Sequence, residues 1–145
     1  MTMLSCSVRA PLLCAIAVLS LSACNSLPYY HPGAGDATVT YVGLGTPSIC
    51  TKGVSYRLDL THKDGYSTAK VPAGERITVW NSMAFANALV VSRCAPKLAF
   101  TPAAGTNYIV NAGVSYGECF IEVVREDRNR DTGVAVEPST APPEC

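Results

Sequence analysis

Short stretches of alternating apolar and polar residues dominate the chain from about residue 37 onward. Val54-Ser55-Tyr56-Arg57-Leu58-Asp59-Leu60 alternates strictly, which places Val54, Tyr56, Leu58 and Leu60 on one face of an extended strand and Ser55, Arg57 and Asp59 on the other. Thr38 to Val42 and Tyr66 to Val71 have the same period of two, and Thr61-His62-Lys63-Asp64-Gly65 between such stretches predicts a hairpin turn, with His62 in the turn. A turn-rich segment with Gly43, Gly45 and Pro47 leads to Ile49 and Cys50. Pro72 to Glu75 predicts a tight connection into a strand at Arg76 to Trp80, with Trp80 as a core or sheet-edge aromatic. Ala84 to Val91, helical by its alanines but β-branched at its end, is assigned to strand from its neighbours. Lys97 to Thr101, Asn107 to Val110, Cys119 to Arg125 and Gly133 to Val136 complete the series, separated by Pro102 to Gly105 and Asn111 to Gly113. Short strands joined by Gly, Pro and Asn turns, without a sustained 3.6-residue period, predict an all-β fold. The expected form is an antiparallel sandwich of about seven to eight strands. The immunoglobulin pattern fails, because Trp80 lies too far past Cys50 and no tyrosine sits two residues before Cys94.

One stretch departs from this period. Pro11 to Leu21 is a largely apolar run behind a positive amino terminus and Arg9, as in a secretory leader. It is shorter than the roughly 20 residues of a membrane-spanning helix. It ends in Leu21-Ser22-Ala23-Cys24, the pattern of a bacterial lipobox: an aliphatic residue three before a cysteine, small residues between, and a thiol placed to take a diacylglyceryl group. Residues 1–23 are therefore expected to be a lipoprotein signal peptide. Cys24 would be the lipidated, palmitate-bearing first residue of the mature protein, held by lipid rather than by a transmembrane segment. Residues 24–36 follow as lipidated cysteine and flexible tether, rich in turn formers, with His31 a solvated linker residue. Residues 37–145 form the sandwich domain. Asn25 stands where some bacteria use aspartate to retain lipoproteins in the inner membrane, which favours the outer membrane, facing the periplasm.

Discarding the leader removes Arg9 and leaves ten basic against eleven acidic side chains. A near-neutral balance without a basic cluster argues against nucleic acid as a partner and against electrostatic attachment to anionic lipid. Cys6 and Cys14 leave with the leader. Cys50, Cys94, Cys119 and Cys145 remain beside Cys24, an even set that predicts a disulfide framework in an oxidising envelope compartment. Three pairings are possible. Cys94 with Cys119 is favoured because each is read as beginning a strand of one sheet region, and Cys50 with Cys145 because it would pin the tail to the early strands.

The residues Val71-Pro72-Ala73-Gly74, Cys94, Phe100-Thr101-Pro102-Ala103-Ala104-Gly105-Thr106-Asn107-Tyr108 and Cys119-Phe120-Ile121-Glu122-Val123 resemble a group of small, mostly uncharacterised proteobacterial β-sandwich lipoproteins. The shared features are a Pro-Ala-Gly turn, a Phe-x-Pro-x-x-Gly-x-x-Tyr hairpin and a paired cysteine. The resemblance covers about the second half of the chain and implies fold and location. Its motifs are turn chemistry, so it implies no active site.

Candidate chemistry is sparse. Ser67, His62 and Asp64 would compress a Ser-His-Asp triad into a single turn, where nothing orients or shields it. Asp127, Asn129 and Asp131 alternate as in a calcium loop, but Gly133 comes one residue late, arginines intervene and Pro138 replaces the bidentate glutamate, so a solvated loop is expected and no metal or other cofactor. No Cys-x-x-Cys, Gly-x-Ser-x-Gly, His-Glu-x-x-His or phosphate-binding loop is present. The expected function is that of a lipid-anchored envelope protein, not an enzyme. It would bind an envelope protein or polymer and touch the bilayer through acylated Cys24. Two alternatives stand beside it: an inhibitor or immunity protein against a wall-degrading enzyme, marked by an exposed loop, and a hydrolase marked by paired carboxylates in a deep pocket.

Overall fold

The computed structural model describes residues 26–33, 35–64, 66–86 and 91–145; the lipobox and Cys24 lie outside them. The eleven strands are β1 (Ala37–Gly43), β2 (Thr46–Thr51), β3 (Val54–Arg57), β4 (Thr61–Lys63), β5 (Tyr66–Val71), β6 (Ile77–Ala86), β7 (Val91–Cys94), β8 (Lys97–Phe100), β9 (Asn107–Ser115), β10 (Glu118–Glu126) and β11 (Val134–Val136). They form two sheets packed as a sandwich. The six-stranded sheet has the order β11-β10-β9-β1-β5-β4, and the five-stranded sheet the order β3-β2-β6-β7 with β8 also on β6. All pairs are antiparallel except β1 with β9, which run parallel in register Thr38↔Asn107 to Gly43↔Ala112.

The core lies between the sheets because each strand's alternation turns one row inward. Val39, Tyr41, Ala69, Val71, Tyr108, Val110 and Val123 from the first sheet meet Ile49, Ile77, Val79 and Phe100 from the second. The chain changes sheet four times, through residues 43–45, 58–60, 72–76 and 101–106. The first crossing requires glycine: Gly43 has φ +102, and a Cβ there would stand 2.0 Å from the Ala112 carbonyl oxygen. The last is held by Tyr108, whose hydroxyl accepts the Ala103 N–H at 2.8 Å, while its ring lies 5.1 Å from that of Phe100. The Gly74 N–H donates to the Pro102 carbonyl at 2.7 Å, so the Pro-Ala-Gly turn and the Phe-x-Pro-x-x-Gly-x-x-Tyr segment meet as one corner.

The strand count exceeds the expected seven to eight, and several boundaries differ from those expected. Asn111 to Gly113 does not separate strands: β9 runs through it to Ser115, and the turn is Tyr116-Gly117, both at positive φ. The Phe120 ring lies across Gly113 from the next strand and covers the backbone that glycine leaves bare. His62 lies in β4 rather than in the turn, which follows Lys63 with Asp64 at φ 53. Pro47 is a strand residue of β2, opposite Asn81. The stretches read as Arg76 to Trp80 and Ala84 to Val91 share the ten-residue β6, while residues 87–90 lie outside the described residues.

Of the three possible connectivities, Cys50 joins Cys145 and Cys94 joins Cys119. Cys94 ends β7 rather than beginning a strand, and it is opposite Met83 of β6. The Cys50–Cys145 bond draws the tail over the outer face of the five-stranded sheet. There Ala99 and Ala141 exchange backbone hydrogen bonds, the Glu144 N–H donates to Thr78, and Lys97, over the Trp80 ring, donates to the Cys145 carbonyl.

Within the segment read as a tether, Pro28 to Tyr30 lies along β3. The Arg57 N–H donates to the Pro28 carbonyl and the Tyr30 N–H to the Arg57 carbonyl, each at 2.8 Å. The Tyr30 ring packs edge-on to Tyr56, and its hydroxyl donates to Asp36 at 3.0 Å. Burial first, then this hydrogen bond, pushes Tyr30 from 10.0 up to about 12. A folded-state pKa above the unfolded value means stability fully present below pH 10.0 and lost as pH rises through about 12. Tyr30→Phe should therefore flatten the alkaline decline of stability over that window in urea denaturation; an unchanged decline would contradict the docking of this segment.

Inside the core the Tyr41 hydroxyl is buried without a hydrogen-bond partner among the described residues, and burial drives its pKa upward. An orphaned buried hydroxyl costs about 1–3 kcal/mol, so Tyr41→Phe should raise unfolding stability by ~1 kcal/mol. A loss of stability on this substitution would mean that the hydroxyl is satisfied.

Candidate functional site

The two outer faces of the sandwich differ. That of the five-stranded sheet is partly covered: the disulfide-bonded tail lies over Cys50 and Thr78, and Ser26 and Leu27 line a depression with Thr46, Ser48 and Ser82. That of the six-stranded sheet is open. Alternation along β1, β5, β9 and β10 aligns its outward residues in rows, of which the central one runs Thr61, Thr68, Thr40, Ile109, Val124, Val136 across the strands. The central row is β-branched and hydroxyl-bearing, while the rows beside it carry Lys70, Glu122 and Glu126, hydrogen-bonded to Thr38, Asn111 and Asn107.

On this face lies a groove of about 510 Å3 lined by Thr40, Thr61, Asp64, Tyr66, Thr68, Ile109 and Glu126. Tyr66 begins β5 beside the tight turn at Asp64, and its ring stands 58 % exposed. Three threonine hydroxyls lie along the floor, with Asp64 and Glu126 contributing carboxylates; Glu126 also accepts a hydrogen bond from Asn107 at 3.0 Å. The groove can therefore stack a flat apolar surface on one aromatic ring and both donate and accept hydrogen bonds around it.

Ser67 Oγ and His62 Nδ1 do meet, at 2.9 Å, as a cross-strand pair on the exposed β4–β5 hairpin. The nitrogen facing Ser67 is Nδ1, the atom that Asp orients in a Ser-His-Asp arrangement, and no hydrogen bond from Asp64 to this histidine occurs among the described contacts. In the Asp127 to Gly133 loop, the Asp127 carboxylate accepts the Asn129 N–H at 3.0 Å and lies 3.6 Å from Arg130, so its oxygens are engaged within the loop. Among the described residues, no group of three or more His, Cys, Asp or Glu side chains is placed to hold a metal ion. A further ionic contact is at Glu75. The Thr51 hydroxyl, then Lys52 at 2.9 Å, holds its carboxyl below the usual range, at the charged end of the sandwich away from the groove.

Sequence reading did not single out the groove, since its residues come from five strands and a turn, and only Thr61 and Asp64 fell in a recognised motif, the hairpin signal. The only available signal was the outward half of each alternation, rich in threonine. Compared with known protein families, with curated proteins and with solved structures, the chain matches none.

Proposed function

We propose that the chain is an envelope lipoprotein, acylated on Cys24, whose sandwich domain acts by binding and not by catalysis, with the open sheet face as its contact. The observation that carries this reading is the contrast between the faces: both terminal segments lie against one, while the other presents Tyr66 among Thr40, Thr61, Thr68, Asp64 and Glu126. A single exposed ring surrounded by hydroxyls and carboxylates suits a hydroxylated polymer such as a glycan strand better than a protein core, which needs more apolar area. Anchoring the domain beside its membrane raises its effective concentration for a polymer held in the same layer, so modest intrinsic affinity suffices.

The test is co-sedimentation of purified Cys24→Ala protein with isolated cell-wall sacculi. Tyr66→Ala should weaken retention about tenfold, the loss of one stacked aromatic, and Val54→Ala, far from the groove, should not. Equal retention of all three forms, or turnover of the sacculi, would contradict the proposal. In cells, labelled palmitate should enter the wild type and not Cys24→Ala, and only the former should fractionate with membranes.

A further inference from the structure

The two ends of the sandwich differ as much as its faces. One end gathers the β1–β2 link at residues 43–45, the Tyr116-Gly117 turn and the β6–β7 hairpin. The parallel register Gly43↔Ala112 places the first two side by side, and β6 runs four residues past its pairing of Ser82 with Thr46. The Cys94–Cys119 disulfide ties the β6–β7 hairpin to β10 there. Of the nine large apolar side chains exposed among the described residues, six belong to this end: Val42, Leu44 at 62 %, Tyr66, which the β1–β5 register sets beside Val42, Val91 at 67 %, Tyr116 at 105 % and Phe120. The opposite end carries the ion pairs, Lys52 with Glu75 and Arg76 with Glu144, and the Asp127 to Asp131 loop, while Asp64, Arg93 and Glu118 stand at the rim of the apolar end.

The amino-terminal segment bears on the same end. Ser26 and Leu27 share a depression with Thr46 and Ser82, one or two residue rises below Leu44, while the tail lies over Cys50 and Thr78 further along that face. Two residue steps separate Ser26 from Cys24. An extended chain covers about 3.3–3.6 Å per residue, so the Cys24 Cα lies within about 7 Å of the Ser26 Cα. Docking of Pro28 to Tyr30 on Arg57 removes the slack that a free tether to Asp36 would have provided.

We propose that this apolar end rests on the lipid surface, with Leu44 and Tyr116 in the headgroup layer and the charged end directed away from the membrane. The proposal rests on acylation of Cys24, whose chains hold the domain within a few residues' reach of the bilayer. Exposed leucine and tyrosine side chains prefer the interface, where an apolar body and a polar tip are both accommodated. Two fixed contacts, the acyl chains and this end, set the orientation and leave the open sheet face standing along the membrane normal, accessible from the side.

A photoreactive phenylalanine analogue placed singly at Leu44, Tyr116, Val54 or Asp131 of the full chain tests it. The lipidated proteins are purified from membranes and reconstituted in vesicles of phosphatidylethanolamine and phosphatidylglycerol carrying a radiolabelled lipid. Positions 44 and 116 should capture lipid about tenfold more than 54 and 131, as expected for interfacial against solvent-facing side chains. Vesicle-bound protein with equal capture at all four positions, or more at 54 and 131, overturns the orientation and leaves acylation standing. Protein that takes no palmitate and does not sediment with vesicles overturns acylation and the orientation together. Capture of a protein instead of lipid at 44 and 116 in intact cells assigns this end to a protein partner and overturns the proposal.

Discussion

Replacing Cys50 and Cys145 together by alanine should lower unfolding stability by roughly 4–5 kcal/mol, the denatured-chain entropy released by opening so long a loop. The two residues are 95 positions apart, against 25 for Cys94 and Cys119, for which the same reasoning gives only about 3 kcal/mol. The consequence is also local. Without the bond, the tail from Ala141 to Cys145 is held by its backbone exchange with Ala99 and by single contacts to Thr78, Arg76 and Lys97, and Thr78, now 1 % exposed, faces solvent. Thermal unfolding should show a fall in Tm on the order of 20 °C for a domain of this size, together with proteolytic clipping of the tail. A fall no larger than that of the Cys94→Ala, Cys119→Ala double variant would contradict the placement of the longer cross-link.

Phe100→Ala should cost about 3–5 kcal/mol, the range for emptying a buried phenylalanine site. Phe100 is fully buried at the end of β8, belongs to the core between both sheets, and packs against Tyr108 at the last sheet crossing. Its neighbours are strand residues held by pairing on both sides, so the cavity cannot close by collapse. Tyr108→Phe, which keeps the ring and removes only the acceptor for the Ala103 N–H, should cost no more than about 1.5 kcal/mol. Urea denaturation of the two variants separates ring packing from the hydrogen bond; equal losses would show that the corner, rather than the core, depends on Phe100.

These residues also show what could be read from the chain alone. Thr38 to Val42 and Tyr66 to Val71 became β1 and β5 because alternation over five or six residues specifies both an extended backbone and its buried face. The alternation from Val54 to Leu60 survives in part: β3 ends at Arg57, yet Leu58 is buried and Leu60 partly buried while the chain crosses to the other sheet. Where local chemistry misled, a tertiary partner had overridden it. Asn111-Ala112-Gly113 has turn composition, but pairing with β1 and β10 keeps it extended and Phe120 shields Gly113. Pro47 and the glycines before it suggested a loop, whereas Gly43 and Gly45 serve a close sheet crossing and Pro47 sits within β2. The groove is illegible for a different reason. Register between strands distant in sequence brings Thr61, Thr40 and Ile109 into one row, and no local pattern encodes that register.

The most direct measurement of the central claim is photo-crosslinking in living cells from a reactive residue at Thr68, on the floor of the open groove, in wild type and in Cys24→Ala. Binding beside the membrane predicts reproducible capture of cell-envelope polymer by the wild type, sharply reduced when the anchor is removed and absent when the reactive residue is moved to Lys97 on the other sheet. Equal capture from Thr68 and Lys97, or turnover of a cell-wall or lipid substrate by the purified unlipidated protein, would contradict it.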